Sequence, residues 1–305
     1  MSEKIVRYRT VIEDSARWDG FEFRPGDIVI SSPSKSGTTW TQMICALLIF
    51  QTPELPEPLT RLSPWMDMCV RPVEEVRAHL EAQTHRRFVK THTPLDGVPS
   101  DPRVTYLAVG RDPRDVAISL FHQGKNLDRE RVRVLTGEPA RKDETTPEGP
   151  PKTEREGFLR WVDNEDDPHE NLDTLYGLVW QQQRAWDRRD ESNVALVHYA
   201  DLKRDLKGQM RRLAELLEID VAASTLPGLA EAATFGRMRK RSADYAPDEG
   251  LGLFKNTDKF FRRGAGKLWR AWMTDDDAAR YAARLEELAA PELAHWLHHG
   301  AEVAS

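Results

Sequence analysis

Asp27–Phe50 reads DIVISSPSKSGTTWTQMICALLIF. Pro25-Gly26-Asp27 leads into Ile28–Ile30, a short β-branched apolar run of the kind that forms a buried strand. Ser31 to Thr39 is then a turn of small residues with a single Lys and a single Gly. Trp40–Phe50 is long and apolar enough for a largely buried helix. A strand, a small-residue turn and a helix make an anion site, because the turn's N–H groups and the positive helix end converge where little side-chain bulk shields them. Lys35 adds a mobile cation, and Ser36, Thr38 and Thr39 add hydroxyls. The spacing is not that of a nucleotide triphosphatase loop, G-x-x-x-x-G-K-[ST], whose Lys follows the second Gly. Here Lys35 precedes Gly37, and Trp40 opens the helix where a ring can stack on a base. The competing reading of the turn alone is an ordinary capped strand-to-helix connection.

Working outward, three more strand ends repeat the theme. RRFVKTHT (86–93) gives a short strand at Phe88-Val89 that ends in Lys90, Thr91 and His92. VTYLAV (104–109) has the near-continuous apolar character of a buried parallel strand. It runs into GRDPRDVAIS, with Asp112 as N-cap and Pro113 at the first helical position. Arg111 stands just before that helix and Ser119 lies on it. NVALVHY (193–199) is a fourth strand ending in Tyr199. In an open parallel α/β sheet, ligands bind at the carboxyl ends of the strands. Cations at successive strand ends therefore argue against solvated surface charge.

The remaining segments read as follows. Residues 4–25 suggest a hairpin. Ser63–Met68 is a loop with an aromatic and two methionines, and Pro72–Ala82 is a helix. Residues 124–157, GKNLDRERVRVLTGEPARKDETTPEGPPKTEREG, are charged, rich in Pro and Gly and nearly devoid of core residues, which suggests a flexible lid-like insertion. Asp201–Ile219 and Asp275–Ala289 are amphipathic helices. Between them, TFGRM (234–238) and FFRRGAGKLW (260–269) join glycines to arginines, which suits a loop closing over phosphate.

Composition limits the function. The 305 residues carry a formal net charge of −6 with 31% charged residues of mixed sign, which opposes a nucleic-acid partner but not a small anionic ligand. Two cysteines, Cys45 and Cys69, make no disulfide framework. No metal-ligand cluster is evident. The N-terminus lacks the apolar core of a secretory signal. The longest apolar run, Met43–Phe50, is far short of the ~18–20 residues of a transmembrane segment. A cytoplasmic enzyme is the expectation.

KSGTTW at 35–40, KTH at 90–92, RDPRDVAIS at 111–119, Tyr199, TFGRM at 234–238 and FFRRG at 260–264 occur in the order found in the cytosolic-type sulfotransferases, which the chain resembles from about Asp27 to Trp269. SPSKSGTTWTQ, SPW, RRFVKTHTPLDG and VGRDPRD look especially like actinobacterial members, some of them glycolipid sulfotransferases. The resemblance implies a single α/β domain over 1–305, with a P-loop-like three-layer fold and a central, mainly parallel sheet flanked by helices. It implies transfer of a sulfonate from 3′-phosphoadenosine 5′-phosphosulfate (PAPS) to an acceptor, with PAP as product and no metal. Residues 35–40 would cradle the 5′-phosphosulfate, with Lys35 on the oxygen bridging phosphorus and sulfur. His92 would be the base, and Lys90 would sit near the sulfonate. Arg111 and Ser119, with Arg262, Arg263 and Gly264, would bind the 3′-phosphate. Trp40, Tyr199 and Phe235 would surround adenine, with Thr234 and Met238 nearby.

The chemistry agrees. Sulfonate transfer needs charge stabilised on the leaving oxygen, which a Lys and loop N–H groups supply, and a base such as His, with an ordinary pKa near ~6.5. Three positions depart from the family pattern. Pro-Ser-Lys stands where many members have Tyr-Pro-Lys, and Gly-Lys-Leu-Trp at 266–269 replaces Gly-Asp-Trp. Arg270–Ala279 lacks the Thr-Val pair of the animal dimer motif, which leaves the oligomeric state open. Rival readings are a P-loop-type small-molecule kinase and a non-catalytic PAP-binding protein. Trp65, Met66, Met68 and Phe121 are candidates for an apolar acceptor pocket, suited to a small molecule or a glycolipid.

Overall fold

The computed structural model describes residues 5–137, 149–247, 250–262, 264 and 266–301. Four strands form one sheet: β1 (Ile28–Ser31), β2 (Phe88–Thr91), β3 (Thr105–Gly110) and β4 (Val194–His198). Their order is β2-β1-β3-β4 and every pairing is parallel, with Ile28 opposite both Phe88 and Thr105 and Gly110 opposite His198.

The strands are buried on both faces, which is why they read as unbroken apolar runs. Alternate residues sort to opposite sides of the sheet. Ile28, Ile30, Leu107 and Val109 pack in one core with the first helix, α1 (Thr38–Phe50). Val29, Tyr106 and Ala108 pack in another with Trp18, Val76 and Leu80. Helices follow in chain order: α2 (Leu59–Leu62) and α3 (Val73–Ala82) before β2, then α4 (Pro113–Asn126), α5 (Arg129–Thr136), α6 (Glu154–Val162) and α7 (Leu175–Asp187) between β3 and β4. After β4 come α8 (Tyr199–Arg204), α9 (Leu206–Leu216), α10 (Leu226–Ala232), α11 (Phe235–Lys240), α12 (Ser242–Tyr245), α13 (Asp275–Leu288) and α14 (Pro291–His299). Among the described residues no helix is long and apolar enough to cross a membrane.

The expected P-loop-like α/β layering is present. Three local expectations differ. Residues 5–25 hold a 3-10 turn at Ser15–Trp18 and isolated bridges, Arg9 to Asp14 and Glu13 to Met68, in place of a hairpin. The supposed flexible insertion is helical at both flanks, where α4 runs to Asn126, α5 follows and α6 begins at Glu154. Its centre, 138–148, lies outside the described residues. The helix expected over 201–219 breaks at Asp205, whose side chain accepts from Gly208 N–H and caps α9.

Candidate active site

The chain leaves β1 toward β2 on one side and β3 toward β4 on the other. The connections diverge between β1 and β3, and their carboxyl ends open a cleft there. The cleft measures about 960 Å³. Lys35 follows β1 and Arg111 follows β3, so both stand at this switch point.

The β1–α1 turn is strained in a way that exposes its backbone. Lys35 has φ 66 and Gly37 φ 114. A Cβ on Gly37 would lie 3.0 Å from the Tyr199 ring, so glycine is demanded both by conformation and by space. The Lys35 carbonyl accepts from Arg111 Nη1 at 3.0 Å, and Ser32 and Thr38 hydroxyls meet at 2.6 Å. Among the described residues, Ser36 Oγ and Arg111 Nε are buried here without a hydrogen-bond partner. Unpaired groups of this kind at the N-terminal end of the 13-residue α1 fit an anionic ligand.

Lys35, Lys90 and Arg111 face the cleft, each without an ion pair among the described residues. They rest instead over aromatic faces. Lys35 Nζ lies 4.3 Å from the Phe260 centroid, Lys90 Nζ 3.3 Å from Trp65, and the Arg111 guanidinium 4.3 Å from Tyr199. Burial, reinforced by Arg111, pushes the Lys35 pKa down to about 7. Burial does the same to Lys90, also about 7, despite opposition from Asp67 and Glu13.

His92 follows β2 and is held from three directions. Its N–H donates to Asp67 Oδ2 at 3.0 Å, its carbonyl accepts from Gln181 Nε2 at 2.9 Å, and Nδ1 lies 2.6 Å from the Ser32 carbonyl. A carbonyl only accepts, so the ring proton is on Nδ1 and Nε2 carries the lone pair. Trp65 packs edge-on at 4.8 Å. Burial, then the nearby Lys90, holds the imidazole pKa well below its ordinary value. Asp67 Oδ2 also accepts from the Thr91 and Thr93 hydroxyls, each at 2.8 Å, and from Thr93 N–H at 2.9 Å.

Most of the residues expected at a site converge here. Gly37, Thr38, Thr39, Trp40, Ser119, Tyr199, Phe235, Met238, Arg262 and Gly264 line the cleft with Lys35, Lys90, His92 and Arg111. Trp40 Nε1 donates to the Ala233 carbonyl at 2.8 Å, tying α1 to the segment before α11. Gly264, at φ 60, sits so close to Phe235 that a Cβ would lie 2.6 Å from its ring. Thr234 is not on the cleft wall; its hydroxyl donates to the Glu231 carbonyl at 2.8 Å. Arg263 lies outside the described residues. Met66 is core, fully buried with Trp18 and Val89, whereas Trp65, Met68 and Phe121 do line the cleft.

Asp67, Gln181 and Asp115 carry weight that the sequence motifs do not announce. Asp115 Oδ1 accepts from Lys267 N–H at 2.6 Å and so ties the chain at Lys267 to α4. Its position one turn beyond Arg111 was the available signal. Ile12, Met68, Val70, Val132, Leu253 and Phe254 cluster together and give the cleft an apolar wall. A second cavity of about 270 Å³ shares Trp65, Met68, Val70 and Lys90 with the cleft.

The parallel α/β fold thus places a cationic cradle at its switch point with an imidazole of lowered pKa beside it, an arrangement able to hold an anion and accept a proton. Residues 25–291 match the family model described as the sulfotransferase domain, and the chain belongs to that family. It is a sulfotransferase. It is 41% identical over 314 residues to a glycolipid sulfotransferase of Mycobacterium bovis, covering 98% of this chain and 96% of that protein. Its fold is similar to that of retinol dehydratase in complex with androsterone and PAP (TM-score 0.67, 21% identity, 91% and 86% of the two chains). It is also similar to mouse sulfotransferase SULT7A1 complexed with PAP (TM-score 0.66, 19% identity, 92% and 91%).

Proposed function

We propose that this enzyme transfers a sulfonate from PAPS to a hydroxyl of a glycolipid-like acceptor, with His92 as general base. PAPS supplies the sulfonate and leaves as PAP. The observation that carries this reading is the set of cleft cations, Lys35, Lys90 and Arg111, with no ion pair among the described residues, beside a histidine whose free nitrogen is Nε2.

Residues 35–40 would hold the 5′-phosphosulfate, and Arg111, Ser119, Arg262, Arg263 and Gly264 the 3′-phosphate. Trp40, Tyr199, Phe235 and Met238 would enclose the adenine. Lys35 and Lys90 keep positive charge where negative charge grows, in a site that excludes much of the water that would screen it. His92 Nε2 accepts the proton of the acceptor hydroxyl, and the Ser32 carbonyl stabilises the resulting imidazolium through Nδ1–H. The acceptor class follows from the apolar wall and its side cavity, which suit an alkyl chain, together with the near full-length likeness to glycolipid sulfotransferases.

Calorimetry with PAP and ATP, followed by an acceptor screen with labelled PAPS, tests this. PAP should bind, and ATP weakly or not at all. Tight ATP binding without PAP binding would sink the reading in favour of a kinase.

A further inference from the structure

Glu13 has no part in holding an anion, yet it stands on the cleft wall. It closes a short turn: Thr10 N–H donates to the Glu13 carbonyl at 2.9 Å, and Glu13 N–H donates to the Thr10 hydroxyl at 3.2 Å. The turn is fastened to the segment that mounts the histidine. Glu13 bridges Met68 antiparallel, Cys69 N–H donates to the Ile12 carbonyl and Asp14 N–H to the Asp67 carbonyl, both at 2.8 Å. The side chain of that same Asp67 holds the backbone N–H groups of His92 and Thr93. The position of Glu13 is thus tied to that of His92.

The carboxyl is only 8% exposed, and the space it meets is the cleft, whose wall it shares with Thr10, Ile12, Lys90 and His92. Oε2 accepts the Thr10 hydroxyl at 3.3 Å. Among the described residues no hydrogen bond reaches Oε1, which is not sealed in the core but opens to the cleft, and the group forms no ion pair. Lys90, the nearby cation, places its ammonium 3.3 Å over Trp65 and makes no ion pair with Glu13. A largely buried carboxyl with one oxygen left open to the cleft is placed to hydrogen-bond a ligand there.

We propose that Glu13 determines acceptor specificity: its carboxyl hydrogen-bonds a second acceptor hydroxyl, neighbouring the one His92 deprotonates, and so selects sugar-like polyols over lone hydroxyls. The proposal rests on the sulfonate-transfer reading. Burial, with Asp67 and Asp173 nearby, raises the carboxyl pKa well above its ordinary value, whereas Lys90 works against the rise. A carboxyl biased toward its protonated form can donate as well as accept, which matches a diol.

The test compares octyl β-glucoside with 4-nitrophenol as acceptors for labelled sulfonate transfer from PAPS. Glu13→Ala should raise KM for the glucoside about tenfold, the equivalent of losing one hydrogen bond, with PAP affinity and the KM for 4-nitrophenol unchanged. Glu13→Gln, which keeps a donor and an acceptor, should stay within about threefold of the parent. Equal changes for both acceptors, or none for either, would overturn the assignment. So would a parent enzyme that sulfonates 4-nitrophenol but not the glucoside, with the transfer reading intact. A parent that sulfonates neither brings down the transfer reading itself.

Discussion

Because the Ser32 carbonyl can only accept, its 2.6 Å contact fixes the proton of His92 on Nδ1 and the basic lone pair on Nε2. Burial and Lys90 depress the imidazole pKa well below its usual value. A depressed pKa keeps the base neutral to lower pH, so the acid limb of kcat/KM should fall below pH ~6.5, the ordinary imidazole value. His92→Ala should lower kcat by roughly 10²–10⁴-fold while PAP affinity, read by calorimetry, stays within about twofold. Parent-like transfer by the purified variant, or an acid limb above the ordinary imidazole value, would remove His92 from the role. At this scale the sequence was informative where a side chain meets the cleft directly: Lys35, His92 and Arg111 stand at strand ends, which motif spacing reveals. Asp67 and Gln181 escape such a reading. They act on the backbone of a residue 25 and 89 positions away, and only the folded chain shows that pairing.

Elements were legible wherever burial on both faces, or a capping residue, overrides context. β1, α1 and α4 fall where apolar runs, Gly37 and Asp112-Pro113 put them. α5 was hidden because its composition is charged; it stands because Val132 joins Val70 and Leu253 in a small separate core. The residues before β1 alternate like a hairpin, yet they bond singly to Asp67, Asp96 and His169 rather than to each other in a ladder. The turn joining β1 to α1 makes the sharpest prediction at this scale. Gly37→Ala would add a Cβ at φ 114 and 3.0 Å from Tyr199. Strain of this kind typically costs about 1–3 kcal/mol, and here it would also tilt the N–H groups aimed at the anion. The expected result is a lower urea midpoint and PAP binding weakened at least about tenfold, equivalent to ~1.4 kcal/mol. Unchanged PAP affinity would show that the turn is only a connector.

Across the whole molecule, a chain of net charge −6 concentrates Lys35, Lys90 and Arg111 in one cleft between β1 and β3. The topology sets this meeting place, since the two strands on which connections diverge are adjacent in the sheet. Without an anion, desolvation dominates and both lysines lose their protons near pH 7. An anionic ligand between them favours the charged form and raises both pKa values. At pH ~8 the nucleotide phosphates, with second pKa values near ~6, are already ionised. PAP binding should therefore take up about one to two protons at that pH, and affinity should fall as pH rises further, because the ligand must recruit protons that are increasingly scarce. Calorimetry in two buffers of different ionisation heat measures the uptake directly, and Lys35→Met should reduce it by about one proton. Binding heats that do not depend on the buffer would mean the lysines keep their charge in the free enzyme. The cleft would then be solvated well enough to hold three cations together without a ligand, and charge frustration would play no part in its affinity.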